Sequence, residues 1–167
     1  MSAIDIIIWI VILGVVAAGI VIAIHYSSDI STASNVHSEV QNTAALVSQI
    51  RQAWAGYSDY ATITDTDVIN AKAVPSAITI TGGKNLTNVF GDAITLAPDT
   101  TNSNAFDLTD QVPNSACTAI ANAVLKDVTG LTINGTAVAL PVTDPAAIGT
   151  ACGTTDPVTI TEVYSGM

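Results

Sequence analysis

Residues 1–24 read MSAIDIIIWIVILGVVAAGIVIAI. From Ile6 to Ile24 this stretch carries no charge, and its length reaches that of a membrane span, about 20 residues. One carboxylate, Asp5, stands just ahead of it. A secretory signal peptide needs a basic n-region and a small-residue cleavage site, and nothing before Ile6 is basic. A plain transmembrane anchor fits the length but gives Asp5 no purpose. It also leaves unexplained why the helical pattern continues beyond the apolar run.

That pattern continues through Ile30, Ala33, Val36, Val40, Ala44, Val47, Ile50 and Trp54, in steps of three and four that form one stripe of a helix. No proline occurs before Pro75. A single helix from about Ile4 to Trp54 would be roughly 75 Å long at about 1.5 Å per residue. Its first half is apolar all round and seeks a wholly apolar environment; its second half has one apolar face, suited to packing on a domain. Gly14 and Gly19 interrupt the apolar half. Each weakens a helix by about 1 kcal/mol relative to alanine, and small residues also let helices approach closely. Both effects serve helix–helix assembly.

The chain has 167 residues, enough for one domain and an extra element. The sequence divides at 1–28, an apolar helix half; 29–56, an amphipathic helix half; and 57–167, a globular head. Four basic residues against 14 acidic ones give a formal charge of −10. That excludes nucleic-acid binding through phosphates, which needs a basic face, and docking on anionic lipid through a polybasic patch. The acidic surface serves solubility, or else pairs with the sparse lysines of a neighbouring copy. Two cysteines, Cys117 and Cys152, lie in a Thr- and Asn-rich region behind the apolar segment. The even count suggests one disulfide formed in an oxidising compartment, with two buried thiols as the alternative. Closing that loop would contribute roughly 3–4 kcal/mol.

Beyond Tyr60, alternating segments predict strands at Ala77–Thr81, Ala93–Leu96, Ala105–Leu108, Leu131–Ile133, Ala137–Leu140 and Val158–Glu162. Asn134-Gly135 between two apolar runs is a hairpin signal. Cys117, Ile120, Ala121, Val124 and Leu125 have helical spacing from Ser115 to about Lys126, with Asn114 or Ser115 as the cap. Tyr57, Tyr60, Ala61–Ala73 and Asp144–Thr155 read as connecting loops. The expected fold class is α+β, with the long N-terminal helix packed on an antiparallel sheet.

The chain resembles the type IV pilins, and more narrowly the type IVb subclass of toxin-coregulated, bundle-forming and conjugative thin pili. The resembling residues are Met1, the carboxylate at position five, the run Ile6–Leu13, Gly14 and the continuation into a long amphipathic helix. Downstream, Asn88-Val89-Phe90-Gly91 followed by Ala93–Leu96 matches that subclass's segment of asparagine, any residue, an aromatic and glycine ahead of a strand. Phe106–Leu108 and Val112–Cys117 match the approach to its first cysteine, and Cys152 closes its disulfide-bounded C-terminal region. The family's acidic residue is nearly always Glu, and here it is Asp5. The proline of the type IVa subclass near position 22 is replaced by Ile22, which favours type IVb.

The resemblance implies the type IV pilin fold, a leader cut by a prepilin peptidase just before Met1, and N-methylation of the new terminus. It implies the chain's partners as well: other copies in a helical homopolymer, the pilus assembly machinery, and the inner membrane before assembly. A charge inside hydrocarbon costs about 2.5–3.5 kcal/mol at the centre of a span. Asp5 lies in the first helical turn, where the helix dipole favours an anion. Pairing with the Met1 amino group of a neighbouring subunit would offset the cost further and fix the axial register. Met1, Asp5, Gly14 and Gly19 are thus the candidate assembly residues.

No cofactor, metal or catalytic constellation is expected. His25 and His37 are too far apart on one helix to share a metal. Asp65-Thr66-Asp67 is a weak cation signal that reads better as a solvated turn. Gly82-Gly83-Lys84 lacks phosphate-loop spacing, and no serine sits in a nucleophile elbow. The reading is a non-enzymatic filament subunit at the bacterial surface, active in adhesion, aggregation or conjugation. The alternatives are a membrane-tethered adhesive module, and a minor pilin or pseudopilin of a related assembly or secretion system.

Overall fold

The structure, a computed structural model, describes residues 31–166. The first described element, α1, is a helix over residues 31–53. A short helix α2, Asp65–Asn70, follows. Four strands come next: β1 Thr79–Thr81, β2 Asn85–Thr87, β3 Ala93–Pro98 and β4 Ala105–Val112. Then come α3 Asn114–Val124, β5 Gly130–Ile133, β6 Thr136–Val138, α4 Ala146–Cys152 and β7 Val158–Ser165. The strands form one antiparallel sheet in the order β1-β2-β3-β4-β7-β5-β6. β7, the last strand in the chain, therefore lies inside the sheet between β4 and β5, paired with β4 from Ala105↔Ser165 to Val112↔Val158.

β7 alternates strictly, and β4 does so from Phe106 onward. Phe106, Leu108, Asp110 and Val112 of β4 are buried, and so are Val158, Ile160, Glu162 and Tyr164 of β7; the residues between them are half-buried. Side chains of a strand point to opposite faces in turn, so one face carries the core. Leu46, Val47 and Ile50 of α1 join the same hydrophobic cluster. Asn134 and Gly135 both have positive φ, 49° and 77°, as the tight β5–β6 hairpin requires.

The strands and α3 fall where the alternation and helical spacing put them, with ends shifted by a few residues. Three expectations need correction. Ala61–Ala73 and Asp144–Thr155 are not wholly loop, because they contain α2 and α4. Asn85–Thr87 is a strand, closing a hairpin on β1 through the Gly82-Gly83-Lys84 turn. The cap of α3 also differs: neither Asn114 nor Ser115 caps it through its own side chain. Asp156 accepts from the Asn114 backbone N–H at 3.0 Å. The Asn114 side chain instead donates to the carbonyls of Cys152, Gly153 and Thr155, and Asn134 donates to those of Ala151 and Cys152. These two side chains satisfy carbonyls that the end of a helix leaves open.

Candidate assembly site: the seat of the long helix

The described part of α1 meets the sheet along a face different from the expected stripe. From Val47 to Trp54 the two agree. Above Val47 they part by about one residue. Leu46 is fully buried while Ala44 is exposed, and the buried positions of the upper turns are Glu39 and Thr43 rather than Val36 and Val40, which pack only partly on the core. Hydrophobicity alone chooses Val40 and Ala44. The Val89 N–H of the β2–β3 turn offers Glu39 a hydrogen bond, with Thr43 holding its other carboxylate oxygen, and that favours the rotation.

At the lower end the seat is aromatic. Trp54 and Tyr60 lie 6.3 Å apart, Tyr60 and Phe106 5.0 Å, and Phe106 and Tyr164 5.8 Å between ring centroids. Such tilted and offset pairs add about 0.5–1.5 kcal/mol each beyond area burial. Arg51 donates from Nε and Nη2 to the Ser165 carbonyl at 3.1 and 2.8 Å, and its guanidinium lies 6.0 Å from the Tyr164 ring centroid. The helix is thereby clipped to the last strand.

At the upper end the seat is polar. The Val89 backbone N–H donates to Glu39 Oε2 at 3.0 Å, and Thr43 Oγ1 donates to Glu39 Oε1 at 3.3 Å. Asn88, beside Val89, organises the β2–β3 turn. Its side-chain oxygen accepts from the N–H groups of Phe90 and Asp92. Its amide donates to Asp110 Oδ1 at 2.7 Å and to the Gln111 carbonyl at 2.6 Å. On β7, Tyr164 donates to Glu162 Oε2 at 2.5 Å. The pairing Asp110↔Ile160 and Leu108↔Glu162 makes Asp110 and Glu162 diagonal neighbours on the core face, within reach of each other's side chains.

Burial sets the protonation of this end. It lifts the Asp110 carboxyl to about 8, helped by the charges of Glu39, Glu162 and Asp92 and opposed by the Asn88 hydrogen bond. It lifts Glu162 to about 7, opposed by Tyr164 and helped by Glu39. It raises Glu39 too, against the Val89 and Thr43 hydrogen bonds. Tyr164 is pushed upward by burial and then by Glu162. Glu39, Thr43, Asp110 and Glu162 were not singled out in the sequence, whereas Asn88 was, as the first residue of the Asn88-Val89-Phe90-Gly91 motif. The signal was there for the strand pair, since Asp110 and Glu162 fall on the apolar phase of their alternations.

Met1, Asp5, Gly14, Gly19 and His25 lie outside the described residues, as does the apolar run Ile6–Ile24. Among the described residues no helix is long and apolar enough to cross a membrane, and no cluster of ligands suits a metal. His37 is exposed, with its Nε2 3.0 Å from Gln41 Nε2. Asp65 and Asp67 serve α2: Thr64 Oγ1 accepts from the Asp67 N–H, and Asp65 accepts from the Leu96 N–H. Cys117 and Cys152 form a disulfide with Cα atoms 6.1 Å apart, joining α3 to the end of α4.

This architecture has known counterparts. Residues 33–164 match the family model described as PilS N terminal. The crystal structure of the type IVb pilin from Salmonella typhi is similar with TM-score 0.62 and 26% identity, covering 78% of this chain and 99% of that one. TcpA, a type IV pilin from Vibrio cholerae El Tor biotype, is similar with TM-score 0.57 and 14% identity, covering 79% and 99%. No curated protein sequence matches the chain. The helix seated on a one-faced antiparallel sheet and the disulfide-bounded C-terminal region agree with the family match, so the chain belongs to the PilS N-terminal family and is a type IVb pilin, a structural subunit of a type IV pilus.

Proposed function

We propose that this pilin polymerises through its N-terminal helix into a surface filament and works there mechanically, without catalysis. The observation that carries this reading is the one-sided seat of α1. Residues 39–53 are committed to the head, while the sequence ahead of them runs back into the uncharged stretch Ile6–Ile24. Such a stretch has no place on a head whose core is already filled. Packed against its copies it forms the core of a polymer that does not close on itself, and the heads form the shell. On this reading the chain works in three parts, 1–28 in the core, 29–56 as the carrier and 57–167 as the head. Gly14 and Gly19 admit close helix approach.

Asp5 sets the register. In an apolar core its carboxylate pairs with the amino terminus of a neighbouring subunit, which is Met1 on this reading, and either charge left alone there is strongly unfavourable. Before assembly the same helix holds the subunit in the inner membrane, where a prepilin peptidase and the assembly machinery act on it. The disulfide accords with passage through an oxidising compartment. The filament then serves adhesion, aggregation or conjugation.

Negative-stain microscopy of sheared surface fibres, with mass analysis of the amino terminus, tests the polymer. Asp5→Ala tests the register: filament yield falls at least about tenfold while the head keeps its fold. Wild-type yield from Asp5→Ala subunits would remove Asp5 from the assembly.

A further inference from the structure

Three carboxyl groups from three elements meet under α1: Glu39 from the helix, Asp110 from β4 and Glu162 from β7, at 0%, 2% and 1% exposure. Among the described residues no lysine, arginine or histidine forms an ion pair with any of them. The described groups that face them bring hydrogen bonds or further negative charge, and no positive charge. Asp92 from the β2–β3 turn adds a negative charge toward Asp110, and Tyr164 from β7 contacts Glu162. Asp127, after α3, acts on Tyr164 from outside. Arg51, further down α1, acts favourably on Tyr164, but its hydrogen bonds go to the Ser165 carbonyl. Several buried like charges with no opposite charge beside them are too costly to keep, even with a hydrogen bond each. Three of them in one seam are kept only by becoming neutral.

We infer that the seat of α1 is a proton-held latch: protons held by Glu39, Asp110 and Glu162 keep the upper half of α1 closed on the sheet, and their loss loosens that half together with the β2–β3 turn. The turn follows because Glu39 accepts from the Val89 N–H and Asn88 ties the same turn to Asp110. The lower end, with its aromatic contacts, stays seated. The latch depends only on the seat of α1 on the head and stands whether or not the subunit polymerises.

The direction is opposite to ordinary acid denaturation. Groups raised above their unfolded values stabilise the fold fully below those values, near 4, and lose that contribution as pH rises through the folded values. For Asp110 and Glu162 those are about 8 and about 7. The window therefore runs from about pH 4 to about pH 8.

The experiment uses the full chain in uncharged detergent micelles. Urea unfolding is read by near-ultraviolet circular dichroism, and amide exchange of residues 39–47 is corrected for intrinsic rate. Between about pH 5 and about pH 8 the unfolding constant rises at least about tenfold, and exchange of the upper helix accelerates ahead of that of residues 50–53. Asp110→Asn and Glu162→Gln each flatten the rise, and the double variant flattens it further. Infrared spectroscopy of the wild-type chain, which needs no variant to fold, shows a protonated carboxyl band near pH 6 that fades by about pH 9. The proposal is overturned if the wild type is equally or more stable at pH 8, if that band is absent, or if the pH slope survives undiminished in a folded double variant. The last outcome would move the slope to another carboxyl such as Asp107.

Discussion

The two ends of the α1 seat hold the same helix by different physics. At the lower end Ile50 and Trp54 meet Tyr60, Phe106 and Tyr164, and one arginine clips the helix to the last strand. At the upper end Glu39, held by Thr43 and the Val89 N–H, acts on the charges of Asp110 and Glu162, and Asn88 holds Asp110. Apolar burial stabilises by roughly 25 cal/mol per Å2 and has no preferred register. Buried hydrogen bonds contribute little net but penalise every misplacement, because an orphaned donor or acceptor costs about 1–3 kcal/mol. The aromatic end therefore supplies most of the docking energy, and the polar end fixes where along its axis the helix sits.

Removing the ring at the centre of the lower end breaks it most severely. Phe106 is fully buried between Tyr60 and Tyr164. Phe106→Ala should cost about 3–5 kcal/mol, read as a lower urea midpoint with an unchanged m-value. The loss should be equal at pH 5 and pH 8, since no titrating group leaves with the ring. A pH-dependent loss would mean that the two ends are not separate.

The upper end is broken by Asn88→Ala. That change strips Asp110 Oδ1 and the Gln111 carbonyl of a donor and the Phe90 and Asp92 N–H groups of an acceptor. A loss of about 2–3 kcal/mol is expected, below the sum of four orphaned groups because water reaches the turn once it opens. Amide exchange should localise the damage to residues 88–92 and the upper turns of α1. Uniform acceleration across the sheet would instead mark Asn88 as a general core residue. The motif that carried the family resemblance, Asn88-Val89-Phe90-Gly91, is the segment that Glu39 grips.

How much of this was legible depends on the end. The lower seat was plain in the sequence: Val47, Ile50 and Trp54 keep helical spacing, and hydrophobicity points the right way. The sheet was equally plain wherever alternation runs for several residues, as in β4 and β7, and where Asn134-Gly135 dictates a hairpin. The upper seat was hidden because its buried residues are polar, so the apolar face of the sequence runs through Val40 and Ala44, about one residue round from the buried one. The short elements were hidden for another reason. α2 and α4 have 6 and 7 residues, too few to show a period, and they are held by partners distant in sequence. Leu96 binds Asp65, and Cys117, Asn114 and Asn134 hold the end of α4. β2, with 3 residues, is a strand only because β1 and β3 flank it.

The outer face of β4 offers a finer contrast with Asp110. Asp107 points away from α1, with Oδ1 buried and lacking a hydrogen-bond partner, and its carboxyl is lifted to about 6 by burial and then by the charge of Asp99. Asp99 is held below the usual carboxylate range, first by the Thr101 hydroxyl and also by backbone N–H groups of Thr101 and Asn102 and by Asp107 itself. A protonated Asp107 donates to Asp99, whereas an ionised one repels it. An amide at position 107 donates without needing a proton. Asp107→Asn should therefore match the wild type near pH 4, where Asp107 is protonated in the folded state. It should exceed the wild type above about pH 6, where that contribution has been lost. Solvent screening at this half-exposed site keeps the gain small, about 1 °C in Tm at pH 8. Calorimetry at the two pH values separates this edge effect from the seam beneath α1. Asp107→Asn should leave exchange of residues 39–47 as it was, because Asp107 lies on the other face of the strand from Asp110.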